Sequence, residues 1–213
     1  KTLYMLSLYD ENAPVIVQQG LSTIMEEMVH FCLENSHDPK SKKVAFGIIR
    51  TIQYISRVES VRLRMISEEI VPTLLDALDI VGEDGYEDVV ICVTNFAELK
   101  RARKALVIGG VTSALVKIGM NAKTTDMQHR IALVIAYIAS VNSSSMRQAM
   151  VYAKVMRVIK HLSRSERIET KECISDAIAS LSRTKEVRKQ MVAQGALEMV
   201  QELAECGSEA ARR

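Results

Sequence analysis

Apolar positions recur along the chain at one spacing, and five segments align on a common reference position. That position is occupied by Gly20, Glu69, Gly110, Lys154 and Gly195, so successive segments are 49, 41, 44 and 41 residues apart. In every segment apolar residues stand four and three positions before the reference and one, five and eight positions after it. Such spacing is typical of one face of an α-helix. The pattern therefore predicts stacked helical repeats, because a single unit of this size cannot cover its own apolar face.

Each repeat is predicted to contain a short helix, a break at the reference position, a second helix and a longer third helix. A glycine at the break can take the left-handed backbone conformation that ends one helix and allows a sharp turn into the next. Because Glu69 and Lys154 replace the glycine, we expect those two corners to be strained or differently shaped. No β-strand is expected. The third helices are predicted at Ser41–Ser56, Asp84–Ala97, Thr124–Ser140 and Thr170–Ser182.

Short motifs at these positions resemble armadillo repeats. Residues 69–78, EIVPTLLDAL, are similar to the armadillo signature G-A-I-P-x-L-V-x-L-L, and residues 93–97 and 179–182 resemble the A-L-x-N-L-S ending of its third helix. HEAT repeats are the structural alternative, and the glycine-marked break argues against them. The resemblance implies an all-α fold, a right-handed armadillo-type α-solenoid (superhelix) with about four full repeats and partial repeats at both ends. The single solenoid is expected to comprise residues 1–8 (partial), 11–56, 58–97, 100–140, 144–182 and 185–206 (partial), and to be a fragment of a longer chain.

Composition agrees with helices joined by short turns, since the chain has only 9 glycines and 3 prolines. A formal net charge of +2 gives no large field, so we expect no nucleic-acid partner. The densest basic run, Lys100–Lys104, is interpreted as the solvated face of a short helix rather than a nucleic-acid patch. The four dispersed cysteines, Cys32, Cys92, Cys173 and Cys206, indicate reduced thiols and a cytoplasmic protein. Apolar runs such as Ala132–Ala139 are too short for insertion into a membrane.

No motif for catalysis or cofactor binding is present, so we expect neither an enzyme nor a cofactor nor a metal. His30 and Cys32 are two residues apart in a helical segment, which is poor geometry for a shared metal. The segment Gly82–Gly85 is interpreted as a turn and a helix N-cap rather than a calcium loop, because the alternating oxygen ligands are missing. Met25, Met28, Met150, Met191 and Met199 stand at core positions and are expected to fill the interior.

The resemblance also suggests where a partner would bind, because armadillo third helices line the concave surface of the superhelix. The family's ladder asparagine corresponds to Tyr54, Asn95, Tyr137 and Ser180, and its importin-type tryptophan to Arg50, Ile91, Leu133 and Asp176. With one asparagine and no tryptophan, importin-like binding of basic peptides is not expected, and no continuous basic row is present for a long acidic ligand. The candidate groove consists of Arg50, Tyr54, Ile91, Asn95, Arg130, Leu133, Tyr137, Asp176 and Ser180.

Tyrosine and arginine are frequent at interface hot spots, so we expect Tyr54 and Tyr137 to hold a peptide and the Asn95 amide to bind its backbone. The alternative is that both tyrosines only cap the core. A second candidate surface is the polar segment Asn35–Lys43, which is predicted to be an exposed loop.

An arginine recurs seven residues before the reference, as Arg62, Arg103, Arg147 and Arg188, whereas the first segment has Ala13 there. A cation near a helix N-terminus is unfavourable to that helix's dipole, so each arginine is predicted to bind groups at the end of the preceding third helix. The alternative is that these arginines are solvated. Taken together, the sequence predicts a scaffold that binds a protein or an extended peptide, by fold-level analogy in cytoskeletal or ciliary assembly. The alternative function is a regulatory segment that contacts a catalytic or signalling domain of its own parent chain.

Overall fold

The computed structural model describes residues 2–205, and every regular element in that range is helical. The lack of strands among these residues confirms the all-α prediction. The chain divides into two compact units, with the boundary between Ala105 and Leu106. Lys1, the first residue of the first predicted partial repeat, and Cys206, the last residue of the final one, lie outside the described residues. None of the helices within residues 2–205 has both the length and the apolar character that a membrane span requires.

The first unit follows the predicted order of short, second and third helices. Its third helices, α4 and α7, pack on each other, and α3 packs on both α4 and α6. Gly82–Gly85 forms a 3-10 turn before α7, and Asp10–Asn12 forms another before α2. The helices are α1 (Thr2–Ser7), α2 (Ala13–Gln18), α3 (Leu21–Glu34), α4 (Pro39–Ser56), α5 (Glu59–Ser67), α6 (Ile70–Val81) and α7 (Tyr86–Glu98).

The second unit repeats this order. The third helices α10 and α13 pack along each other, the second helices α9 and α12 do the same, and α11 packs on α14. Helix α8 (Arg103–Ile108) spans the boundary between the units. The helices of the second unit are α9 (Val111–Gly119), α10 (Thr125–Ala139), α11 (Ser144–Tyr152), α12 (Val155–Leu162), α13 (Ile168–Leu181), α14 (Lys185–Ala193) and α15 (Ala196–Glu205).

The five predicted corners all adopt the left-handed conformation. Gly20, Gly110 and Gly195 have φ of 85°, 87° and 82°. Glu69 and Lys154 have φ of 58° and 66° and are the only non-glycine residues with positive φ in the described part of the chain. These two corners are therefore strained rather than differently shaped, because a side chain in this conformation crowds the following carbonyl.

The repeated apolar positions form the core, as the spacing predicts. Of the 25 positions, 21 are buried, including the methionines at 25, 150 and 191, so the aligned register is the packing register. Met199 is likewise buried, whereas Met28 is only half-buried. The other positions that are not buried are Ile66, Val192 and Val200. The two valines belong to α14 and α15, and within residues 2–205 no third helix follows to cover them.

The predicted arginine contacts are present in the first unit. Arg62 is only 8% exposed, and its guanidinium donates to the carbonyl oxygens of Ser56 at 2.6 Å and Arg57 at 3.0 Å. Its Nη1 also lies 2.6 Å from Oε2 of Glu98 at the end of α7. Arg103 donates from Nε to the carbonyl oxygen of Ala97 at 2.7 Å. Both arginines thus bind the end of the preceding third helix, where carbonyls lack helical partners.

The corresponding arginines of the second unit make the same kind of contact. Arg147 donates to the carbonyl oxygen of Val141 at 2.9 Å and to the hydroxyl of Thr184, the N-cap of α14, at 2.8 Å. Arg188 is exposed and donates from Nε to the carbonyl oxygen of Ser182 at 3.0 Å. The prediction that these arginines join neighbouring helices is confirmed at all four positions.

The cysteines described are free thiols. Cys32 and Cys92 are buried and Cys173 is half-buried. Burial raises the pKa of the Cys92 thiol, and desolvation likewise raises the pKa of Cys173. These side chains therefore stay protonated at neutral pH and serve as small apolar groups.

Candidate interaction surface

The candidate groove residues fall on four third helices and are shared between the two units. In the first unit, α4 carries Arg50 and Tyr54, and α7 carries Ile91 and Asn95. In the second unit, the candidates are Arg130, Leu133 and Tyr137 on α10 and Asp176 and Ser180 on α13. Each set therefore forms a candidate surface of its own unit.

Helix α4 is the main element of the surface in the first unit. It begins at Pro39, preceded by Asp38, whose carboxylate accepts a hydrogen bond from the backbone amide of Lys40 at 2.8 Å. This N-cap satisfies one of the amides that have no helical partner. Ile48, Ile49 and other apolar residues of α4 are buried, so its remaining side chains form an outward stripe. The members of that stripe, which we call the α4 stripe, are Lys43, Phe46, Arg50, Tyr54 and Arg57.

Arg50 contacts an aromatic ring and a carboxylate at the same time. Its Cζ lies 4.8 Å from the ring centroid of Phe46, and its Nε lies 3.4 Å from Oδ2 of Asp88 on α7. Burial lowers the pKa of Arg50, but Asp88 and the hydroxyl of Tyr4 together raise it above its ordinary value. The guanidinium is thereby held as a fixed positive charge with 46% of the side chain exposed.

Tyr54 lies between two other side chains of the first unit. Its ring meets that of Tyr4 edge to face, with 5.7 Å between centroids, and the Cζ of Arg57 lies 4.3 Å from its centroid. Tyr54 is half-buried, so it belongs partly to the packing between α1 and α4 and partly to the surface. The buried part of the ring agrees with the interpretation of Tyr54 as a cap of the core, and its role in binding stays a prediction.

Asn95 connects the two third helices of the first unit. Its Nδ2 donates to the hydroxyl of Ser56 at 2.9 Å, and that hydroxyl donates to the carbonyl oxygen of Gln53 at 2.8 Å. One amide hydrogen of Asn95 is thus used within the protein. This differs from the expectation that the amide is held ready for a peptide backbone. Ile91, one turn earlier on α7, is half-buried.

The candidates of the second unit differ in exposure. Arg130 and Asp176 are exposed, whereas Leu133 and Tyr137 are half-buried. Ser180 is only 8% exposed, so little of its side chain is accessible to a partner. Ser180 lies on the face of the amphipathic helix α13 that packs against the core.

Ion pairs in the second unit lie at the helix starts instead. Nη1 of Arg167 lies 2.7 Å from Oδ1 of Asp126, and its Nε lies 3.3 Å from Oε2 of Glu169. These contacts join the first turn of α10 to the start of α13. Desolvation and the nearby Arg167 lower the pKa of His129, which is therefore neutral at pH 7.

Sequence reasoning missed Tyr4, Phe46, Arg57 and Asp88. Phe46 and Arg57 could have been found, because they lie four residues before Arg50 and three after Tyr54 on the same helix. Tyr4 and Asp88 lie on other helices, α1 and α7. Their contacts with α4 depend on how the helices stack, which no spacing within one segment reveals.

The two other predicted surfaces differ from their predicted form. The segment Asn35–Lys43 is not a loop throughout, because α3 extends to Glu34 and α4 begins at Pro39, where proline fits the first turn. In the basic run Lys100–Lys104, Arg103 is buried, with 9% exposure, because its guanidinium donates to the carbonyl oxygen of Ala97 near the end of α7. The run thus presents fewer free cations than its sequence indicates.

Comparison with known proteins supports the fold and leaves the partner open. No family model and no curated protein sequence matches the chain. An engineered protein of known structure is 19% identical over 99% of this chain and 83% of its own, with a TM-score of 0.72. A designed armadillo repeat protein in complex with the peptide (KR)4 is also 19% identical, over 99% of this chain and 88% of its own, with a TM-score of 0.71.

A second designed armadillo repeat protein is 18% identical over 99% of this chain and 89% of its own, with a TM-score of 0.71. These structures share with the chain its helical order along nearly its whole length. A left-handed corner occurs in all five repeats, and the arginine contact to the preceding third helix occurs in every repeat except the first, which has Ala13 at that position. The chain therefore has the armadillo-like repeat fold, an all-α solenoid.

Proposed function

We propose that this protein is a non-catalytic scaffold that binds a protein or an extended peptide on its third helices. Armadillo-like folds generally serve protein binding, and one structural neighbour is a complex with a peptide. The observation that carries the proposal is the cluster of Arg50, Tyr54 and Arg57 on α4, which remains partly exposed. Arginine and tyrosine provide large contact areas and directional hydrogen bonds, the properties of hot-spot residues. By fold-level analogy, we place the function in cytoskeletal or ciliary assembly in the cytoplasm.

An unbiased library of displayed peptides tests this function directly. We expect the protein to enrich related peptides, and the affinity of one enriched peptide is then measured by titration calorimetry. Tyr54→Ala combined with Tyr137→Ala is expected to weaken binding by about 2 kcal/mol or more. The matched control is Tyr152→Ala, because Tyr152 is 71% exposed but lies on the first helix of its repeat.

Thermal unfolding of the same variants separates binding from stability. Loss of the edge-to-face pair between Tyr4 and Tyr54 is expected to cost only about 0.5–1.5 kcal/mol. A double variant that binds normally, or a control that loses binding equally, would place the interface outside the third helices. Failure of the library to enrich any peptide would contradict peptide binding itself.

A further inference from the structure

We propose that the α4 stripe recognises a short acidic peptide segment, with carboxylates at Arg50 and Arg57 and an apolar side chain beside Phe46. This inference rests on the proposed function, since it names the chemistry of the partner for the first unit. The sequence gives no continuous basic row for a long acidic ligand. In the structure, however, α4 and its C-cap residue carry five cations and no acidic residue, which suits a short acidic ligand.

Charge is distributed unevenly over the third helices of the first unit. Helix α4 contains no acidic residue, and with its C-cap residue Arg57 it carries Lys40, Lys42, Lys43, Arg50 and Arg57. Lys42 pairs with Asp84 at 2.8 Å, and Arg50 contacts Asp88. Within residues 2–205, no ion pair is formed by Lys40, Lys43 or Arg57. The surface thus has a surplus of positive charge that an acidic segment would complement.

The two arginines are held in place before a ligand arrives. Each lies over an aromatic ring, Arg50 over Phe46 at 4.8 Å and Arg57 over Tyr54 at 4.3 Å. A cation–π contact does not consume the N–H donors, which lie in the plane of the guanidinium and match a carboxylate. Because these side chains are already restrained, binding loses less rotamer entropy than it would with free arginines.

The spacing of the arginines suits an extended chain. Arg50 and Arg57 are seven residues apart on α4, which corresponds to about 10 Å along the helix axis. A peptide in the extended polyproline II conformation has three residues per turn, so side chains three residues apart lie on the same face, separated by about 9 Å. Acidic residues at every third position would therefore meet both arginines.

An apolar hollow lies at the other end of the stripe. It has a volume of about 340 Å³ and is lined by Pro39, Lys42, Lys43, Phe46, Val81 and Asp84. Phe46 also contacts Arg50, so the hollow and the first arginine are adjacent. An apolar residue near one end of the peptide would fill this hollow, and that contact would distinguish the ligand from a simple polyanion.

A peptide fits this surface better than a nucleic acid does. Binding of single-stranded nucleic acid depends on open aromatic faces for base stacking. Phe46 and Tyr54 are each covered by an arginine, and Tyr54 also meets Tyr4. Asp84 and Asp88 further reduce the attraction for a phosphate backbone.

Fluorescence anisotropy with labelled peptides tests the inference on the full chain. The probe is a peptide of about eight residues, the length that spans the α4 stripe in extended form, with glutamate at every third position and one terminal leucine. Its controls replace every glutamate by lysine, or the leucine by serine. We expect the glutamate peptide to bind, the lysine peptide not to bind, and the serine version to bind more weakly.

Protein variants assign the binding to α4. Arg50→Gln with Arg57→Gln is expected to weaken binding of the glutamate peptide about tenfold or more, because two charge-assisted hydrogen-bond donors are lost. Arg157→Gln with Arg164→Gln removes the same charge from exposed positions of the second unit and should change little. Arg57→Lys keeps the charge without the planar donors and should give an intermediate affinity.

The outcomes distinguish this inference from the broader function. If the unbiased library yields ligands whose binding is unaffected by Arg50→Gln with Arg57→Gln, the scaffold function stands and the acidic specificity is overturned. Equal loss in the charge-matched control, or equally tight binding of a single-stranded RNA oligonucleotide, would also overturn it. If neither the library nor the glutamate peptide gives binding, both proposals fail.

Discussion

Arg62 in the first unit and Arg188 in the second occupy the same position of the repeat but have different surroundings. Arg62 is 8% exposed and binds two carbonyl oxygens and Glu98. Arg188 is exposed and binds the carbonyl oxygen of Ser182. Glu98 comes from the end of the next third helix, and within residues 2–205 no such helix follows Arg188. The repeat register thus brings both arginines to carbonyl oxygens of the preceding third helix, whereas the following repeat determines whether the arginine is buried and has a carboxylate partner.

Substitution of the two arginines should show the largest effect. Arg62→Met is expected to lower the free energy of unfolding by about 3 kcal/mol, because carbonyls at the end of α4 lose their donors in a buried site. Arg188→Met should cost less than about 1 kcal/mol, since water can donate to the carbonyl oxygen of Ser182 in place of the arginine. Urea denaturation followed by circular dichroism measures both changes.

The ion pair alone should account for a minor part of the effect of Arg62. Glu98→Gln retains a hydrogen-bond acceptor, and the Glu98 side chain is 49% exposed, so this variant should lose no more than about 1 kcal/mol. If Arg62→Met and Arg188→Met lower the free energy of unfolding equally, burial does not determine how much these arginine contacts stabilise the protein.

Helical glycines give a second comparison between the units. Gly47 lies inside α4, and a Cβ built there would meet nothing within 4 Å. Gly119 ends α9, and its Cβ would lie 2.5 Å from Cγ1 of Val158 on α12. Gly119→Ala is therefore expected to destabilise the protein by about 1–3 kcal/mol through overpacking. Gly47→Ala should instead stabilise it by about 0.5–1 kcal/mol, because alanine loses less conformational freedom in a helix.

A double substitution tests the stated cause. Val158→Ala leaves a cavity by itself, but combined with Gly119→Ala it gives the new methyl group space. Thermal melts should therefore show that the double variant is more stable than the sum of the two single changes predicts. Strict additivity would mean that Val158 is not the obstacle.

Sequence periodicity was sufficient for the fold because the same spacing recurs in every repeat. The reference positions fell on the corners, and the recurring arginines were placed correctly on the ends of third helices. The predicted ends of the helices are less accurate where a single residue determines where a helix begins. The polar composition of Asn35–Lys43 predicts a loop at Pro39, whereas α4 begins there, because a proline is compatible with the first turn of a helix.

The candidate surface was only partly predictable. Spacing placed Arg50 and Tyr54 on one side of α4, as observed. It could not reveal that Tyr4 meets Tyr54 or that Asp88 contacts Arg50, because these contacts arise between helices. The family's ladder position likewise does not reveal that Ser180 is buried, because its exposure depends on the packing of α13 in this chain.

The corners give the third and smallest comparison. Gly20 and Glu69 share the left-handed conformation in the first unit, with φ of 85° and 58°, and Lys154 has φ of 66° in the second. A side chain in this conformation costs about 1–2 kcal/mol. Glycine removes that strain but gives the unfolded chain more conformational freedom, which offsets about 0.4–1 kcal/mol of the gain in stability.

Glu69→Gly and Lys154→Gly should therefore each stabilise the protein by about 0.5–1 kcal/mol, and both side chains are exposed, so little contact is lost. Gly20→Ala should have the opposite sign and a similar size. A Cβ at Gly20 would meet nothing within 4 Å, so no steric clash contributes to the loss there. Differential scanning calorimetry of the three variants compares the signs directly. If glycine at 69 or 154 lowers the melting temperature, the side chain at that corner makes a stabilising contribution larger than the strain it causes.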